Sequence, residues 1–205
     1  MTGCLHRVFQ VCLVCALAVP LRTLSQDNTY SKDGAVLYAL GAGYHRMGDA
    51  YSPRGLALGV QARFYGTDRL FCEVAGHWGL HDGEKRVMQA GKPSSVRDER
   101  SILLAAAGAG YELLQSDSKC YDVYVKGLAG YAFRFSDYDG YSPVGPDDGR
   151  ITRGCTKNRQ GIAAIAGIGA DARFGSWVFS PSVDVIYACG RIDVALMVSI
   201  GLLGL

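Results

Sequence analysis

Ten ionisable side chains recur at alternate positions inside otherwise apolar runs: Arg63, Glu73, Glu112, Asp122, Lys126, Arg134, Asp171, Arg173, Asp184 and Asp193. The stretch YDVYVKGLAGYAFRF, starting at residue 121, shows the pattern plainly. Asp122, Lys126 and Arg134 share one parity, while Tyr121, Val123, Val125, Tyr131 and Phe133 share the other. Charges in such a setting support three kinds of chemistry: they neutralise one another as buried pairs, they line a passage and select ions, or one of them works as an acid or base. Catalysis needs a nucleophile, a base and an orienting acid within mutual reach. His45, His77 and His81, with Ser52 and Asp49, supply the residue types without a spacing that fixes such a set, so no catalytic residue is expected. The stretch DYDGYSPVGPDDG gathers Asp137, Asp139, Asp147 and Asp148 but lacks the twelve-residue spacing and closing Glu of an EF-hand. No metal and no cofactor are expected. The basic residues Arg150, Arg153, Lys157 and Arg159 that follow make the same segment two oppositely charged halves, suited to pairing across a hairpin and to surface recognition.

The elements that position these charges follow from the period. A strand sends successive side chains to opposite faces, so strict alternation defines two surfaces. Eight runs obey it. The charge-free parity carries Val36 to Tyr44, Leu56 to Phe64, Leu70 to Leu80, Leu103 to Leu113, Tyr121 to Phe133, Ile162 to Phe174, Trp177 to Tyr187 and Ile192 to Leu202. The other parity carries all ten charges, with Gln61, His45 and His77, among many Gly, Ala and Ser residues.

Aromatic residues on the charge-free parity mark both ends of the runs. Phe64, Tyr111, Tyr121, Phe174 and Trp177 fall beside short connections; Tyr44, Trp78, Tyr131 and Tyr187 fall at the opposite ends. A tilted strand needs roughly 9–11 residues to cross a bilayer, and an apolar band edged by aromatic girdles is how such strands meet lipid. The connections alternate to match. Gly66–Asp68, the stretch QSDS and the pair Gly175–Ser176 are short, whereas 45–55, 81–101 and 136–160 are read as long surface loops. The last connection is a tight turn at Cys189–Gly190. An eight-stranded antiparallel transmembrane β-barrel follows, its lumen filled by small residues and paired charges. Turned toward lipid, Lys126 would cost about 2–4 kcal/mol. Inside, it is expected to pair with Asp184 or Glu112, with Arg63 close to Glu73.

The remaining composition agrees. Net charge is only +2 with 20% charged residues, which gives no stripe for nucleic acid. Glycine is abundant at 27 residues and tyrosine at 12, a strand-former's composition. Residues 1–25 read as a cleavable secretory signal, with Arg7 before an apolar run too short to span as a helix, leaving 26–205 as the barrel domain. Cys4, Cys12 and Cys15 belong to that signal. Of the four remaining cysteines, Cys155 and Cys189 both fall on the long-loop side and are the expected disulfide; Cys72 and Cys120 are separated by a strand. A soluble sandwich or lipocalin-like barrel would instead show its charges to water and hide a large apolar interior. A helical bundle would be interrupted by Gly108, Gly110, Gly167 and Gly169 at about 1 kcal/mol each.

Signal, eight amphipathic strands, alternating short and long connections and a final strand at the C-terminus together resemble the small bacterial outer-membrane barrels of the OmpA, OmpX and OmpW kind. One departure is the end of the chain, SIGLLGL, where those barrels usually finish on an aromatic residue. The resemblance implies residence in the outer membrane of a diderm bacterium, contact with outer-membrane lipids and handling by the barrel assembly machinery. It implies a structural or narrow porin-like role with exposed loops. Two alternatives stay open: an OmpW-like passive channel for small apolar molecules, for which Ile102, Leu104, Leu128, Ile165 and Ile186 would grease the upper lumen, and a surface adhesin binding ligands through the loops.

Overall fold

Eight strands follow one another in the chain: β1 (Val36–Met47), β2 (Gly55–Tyr65), β3 (Leu70–Gln89), β4 (Lys92–Gln115), β5 (Tyr121–Gly145), β6 (Asp148–Phe174), β7 (Trp177–Ala188) and β8 (Arg191–Gly204). Each pairs antiparallel with the next, and β1 closes on β8 from Val36↔Gly204 to Met47↔Asp193. Closure leaves no exposed sheet edge within the barrel wall. The computed structural model describes residues 31–48, 50, 55–89, 92–117, 120–145 and 148–204. The signal expected over 1–25 lies outside these residues, as do Asp49, Ser52 and Asp147.

The wall is inside-out relative to a water-soluble protein. Leu40 is 70% exposed and Ile162 71%, and Tyr38, Val60, Val74, Ile168, Val185 and Ile200 also face outward, while Arg63 and Glu112 are fully buried. The register aligns these outward residues into one continuous belt. Trp78, Tyr131 and Tyr187 edge it on one side and Phe64, Tyr111, Phe174 and Trp177 on the other, all exposed; Tyr44 and Tyr121 are half-buried in the same two rims. Along β5, ten residues separate Tyr121 from Tyr131. At roughly 3.3 Å per residue and 45° of tilt, that is about 23 Å of height, the thickness of a barrel's apolar band.

Short turns are built as their residues dictate. Gly175 has φ 63°, the first central position of a two-residue hairpin that only glycine fills without strain. Cys189 and Gly190 have φ 54° and 78°, so both central residues are left-handed, as a type I′ turn requires.

The long connections differ from the expected loops. β3 and β4 stay paired as far as Gln89↔Lys92, and β5 and β6 as far as Gly145↔Asp148. Most of 81–101 and 136–160 is therefore ladder, and His45–Met47 belong to β1. These hairpins stand beyond the apolar belt with polar residues on both faces, so the alternation that marks a strand in the wall is absent there. Two bulges, at Tyr138/Gly140 and Pro143/Gly145, absorb the Gly- and Pro-containing stretch without ending the pairing.

The same extension separates the expected disulfide. Cys155 lies opposite Tyr138 high on β6, whereas Cys189 sits in the β7–β8 turn beside Gly161. Six residues of strand, roughly 20 Å, intervene. Both are free thiols: Cys155 Sγ donates to the Thr152 carbonyl and Cys189 Sγ to the Ala132 carbonyl. Cys72 is a free thiol as well.

Candidate functional site in the barrel lumen

Every strand contributes inward side chains, and β2, β3, β5, β6 and β7 bring the charged ones to a common level. Glycines on neighbouring strands make the room. A Cβ at Gly167 would collide with the Asp184 carboxylate and the Lys126 methylenes; one at Gly110 would enter the Phe71 ring, and one at Gly169 the Tyr124 ring. The many small residues on the inward parity thus serve as sockets for large partners across the ladder.

The centre of the lumen is a connected ion-pair network. Arg63 Nε donates to Glu73 at 2.8 Å and Nη1 to Asp171 at 2.9 Å, while Ser180 Oγ donates to the other Asp171 oxygen. Lys126 Nζ donates to Glu73 at 3.0 Å and lies 3.6 Å from Asp184. The Arg63 guanidinium also lies 4.0 Å from the Tyr124 ring centroid and 5.1 Å from that of Phe71, and Phe71 meets Tyr124 edge-on at 5.8 Å. An arginine held this way has its charge compensated on several sides, which is what full burial demands.

Toward the short-turn rim the lumen is stoppered by a residue from outside the strands. Lys32 folds in ahead of β1 and its ammonium donates to both Glu112 oxygens, at 2.6 and 2.7 Å, and to Asp122. Its backbone N–H donates to Asp68, which fixes the segment to the β2–β3 turn. Arg173 lies 3.9 Å from Asp122. Glu112 therefore answers Lys32, and the expected Lys126–Glu112 contact is not formed. Lys32 escaped the strand pattern because it precedes the first run. The charge balance was the available signal: six inward anions against four inward cations leave two negative charges over, and Lys32 supplies one further cation, shared between Glu112 and Asp122.

Toward the other rim the lumen turns apolar. Ile102, Leu104, Leu128, Ile165 and Ile186 are each 5% exposed or less and pack with Met47 and Met197. Side chains expected to line a greasy passage fill it instead. At the same levels, Arg134 opposite Ile102 donates to Asp193 at 2.5 Å, His45 Nε2 lies 3.8 Å from Asp193, and the rings of His45 and His77, the latter opposite Leu104, meet edge-on at 5.1 Å. His81 is buried further out, 4.0 Å from Asp98. The three histidines thus all face inward, as the parity of His45 and His77 requires. Asp137 and Asp139 accept from Arg97 and, for Asp139, the Gly154 N–H; no group of three or more metal-type ligands occurs among the described residues.

A lumen network makes one coupling measurable. Lys126→Met and Asp184→Asn are each expected to destabilise the barrel, and the double variant to lose less than their sum by about 1–3 kcal/mol, the size found for residues sharing one network. Urea unfolding in micelles gives the three values; strict additivity would break the pairing.

A closed eight-stranded wall, an apolar exterior belt between aromatic rims and an ion-paired interior define the fold of the small outer-membrane β-barrels. The solved structures agree at the level of fold. The attachment invasion locus protein Ail of Yersinia pestis superposes with TM-score 0.57 at 12% identity, covering 84% of this chain and 99% of Ail. Neisserial surface protein A gives 0.55 at 9% identity, covering 83% and 97%. A major outer membrane protein from Thermus thermophilus gives 0.54 at 11% identity, covering 83% and 99%. No protein-family model and no curated protein sequence matches the chain.

Proposed function

We propose that this chain is an integral outer-membrane β-barrel, exported by a signal at 1–25, in which residues 26–205 form a closed, non-catalytic scaffold that holds two long hairpins above the membrane. The observation that carries the reading is the filled lumen. Arg63, Glu73, Asp171, Lys126 and Asp184 span it at mid-height, Lys32 stoppers one end and the apolar cluster fills the other. Paired charges occlude a narrow barrel as well as apolar residues do, because each fixes its partner. Refolded into planar bilayers, the protein is expected to give no discrete conductance steps in molar salt. Steady single-channel steps from the wild-type chain would overturn the closed reading in favour of a narrow porin, and uptake of an apolar solute into liposomes would favour a conduit.

A specific observation favours surface recognition as the purpose of the scaffold. β3 and β4 stay paired for eight residues past His81, roughly 26 Å of ladder, and β5 with β6 extend further still. Such a projection has no role in closing the wall. The neighbour Ail carries attachment in its name, and an adhesin-like role through the hairpins fits that likeness. Protease applied to intact cells is expected to cleave beside the outermost ladder pairs, Gln89↔Lys92 and Gly145↔Asp148, and to leave the wall intact. Equal protection of both hairpins would place them on the wrong side of the membrane.

A further inference from the structure

A concave groove of about 850 Å³ lies on the exterior of the wall, beside the rim from which the hairpins project. Two neighbouring outward rows build it. The first runs Leu56↔Leu80↔Ser101↔Phe135 across β2 to β5, and the second Asp82↔Glu99↔Asp137 across β3 to β5. The volume is that of a ligand site, and its two rows differ sharply in chemistry.

The apolar row continues the exterior belt. Leu56, Leu80 and Phe135 lie two residues beyond Leu58, Trp78 and Phe133 on the same strands and face, and Phe135 is 46% exposed. The acidic row lies one step further from the belt, where head groups would sit. Arg97 reaches it from the next row, donating to Glu99 at 3.2 Å and to Asp137 at 3.0 Å. Two of its five N–H donors are used in those bonds. Arg100 also lines the groove, but its guanidinium is turned inward and donates to Asp98 at 2.6 Å. Three outward carboxylates beside the Arg97 guanidinium, next to an apolar floor, complement an ammonium, a phosphate and an acyl tail in that order.

We propose that this groove binds one amine-headed phospholipid, its acyl chain against Leu56, Leu80 and Phe135, its ammonium against Asp82, Glu99 and Asp137, and its phosphate toward Arg97. The proposal rests on the membrane-embedded reading above. An anionic lipid of the same tail would set its phosphate and head against the carboxylates without the compensating ammonium, which disfavours it.

Native mass spectrometry of the full chain, eluted from micelles doped with equal phosphatidylethanolamine and phosphatidylglycerol of matched acyl chains, tests the assignment. One ethanolamine lipid is expected to stay bound, preferred by roughly tenfold or more, the value of one to two charge-assisted hydrogen bonds. The triple variant D82N/E99Q/D137N should lose that preference while its circular dichroism and its heat-modified gel mobility stay unchanged. Phe135→Ser should weaken retention of both lipids. Equal retention of the two lipids by the wild type, or an undiminished preference in the triple variant, would overturn the site. Retention of soluble phosphoethanolamine without a tail would also overturn it, assigning the acidic row to a free polar ligand. Failure of the wild type to form a heat-modifiable barrel would be a separate result, removing the membrane reading itself.

Discussion

Arg63→Leu is expected to cost the folded barrel about 3–5 kcal/mol, the penalty for removing one partner of a fully buried charge network. The guanidinium is the hub of the lumen. It is completely buried, bonds Glu73 and Asp171 from one side and lies over the rings of Tyr124 and Phe71 on the other. Leucine fills part of the volume but leaves two carboxylates in an enclosed space with fewer donors. Glu73 retains Lys126 and Asp171 retains Ser180, so the loss is bounded. Urea unfolding in micelles, followed by tryptophan emission, measures it. The triple variant R63L/E73Q/D171N should recover much of the loss, because it removes the stranded charges along with their partner. A single substitution that changed stability by less than about 0.5 kcal/mol, the range of ordinary surface sites, would mean the lumen is wet and the network screened.

Val74→Arg, on the opposite face of a strand within the same barrel, is expected to cost about 2–4 kcal/mol in phospholipid vesicles. Val74 is 55% exposed and stands between Ala62 and Ala107 near the middle of the belt. On a soluble protein such an exposed position would accept arginine within about ±0.5 kcal/mol. Leu70→Arg, at the girdle level of the same strand, should cost only about 0–1 kcal/mol. Depth dependence is the informative feature. A flat response along β3 would indicate that water, not lipid, touches this face.

The wall was legible in the sequence because a bilayer imposes a strict two-faced rule on each strand. In β5, Asp122, Lys126 and Arg134 against Val125, Tyr131 and Phe133 fix both the period and the direction of each face. The hairpins were not legible for the complementary reason. Past His81 and Arg134 neither face meets lipid, and buried inward positions there include the polar Asp98, Ser136 and Asp139, so HDGEKRVMQ carries no apolar–polar alternation and reads as loop although it pairs fully with β4. The displaced cysteine bridge follows from that same misreading, since ladder carries Cys155 away from Cys189. Within the lumen, the pair Arg63–Glu73 is nearest-neighbour geometry across one hairpin and could be anticipated. Lys126–Glu73 joins β5 to β3 across the lumen, a contact that strand order alone does not specify, and Lys32 lies outside every strand. The exterior groove is assembled from residues of several neighbouring strands, a juxtaposition that the period of a single strand does not encode.

The two tryptophans give the most direct test of the central claim that the apolar face of this cylinder touches lipid. Trp78 and Trp177 are the only ones in the chain, both point outward, and they stand on opposite rims. In bilayers of lipids brominated at graded positions along the acyl chain, W78F and W177F each report the residue that remains. Both emissions are expected to be quenched most by bromine close to the head groups and hardly at all by aqueous iodide. Strong iodide quenching with indifference to bromine would show these faces in water and contradict the inside-out barrel.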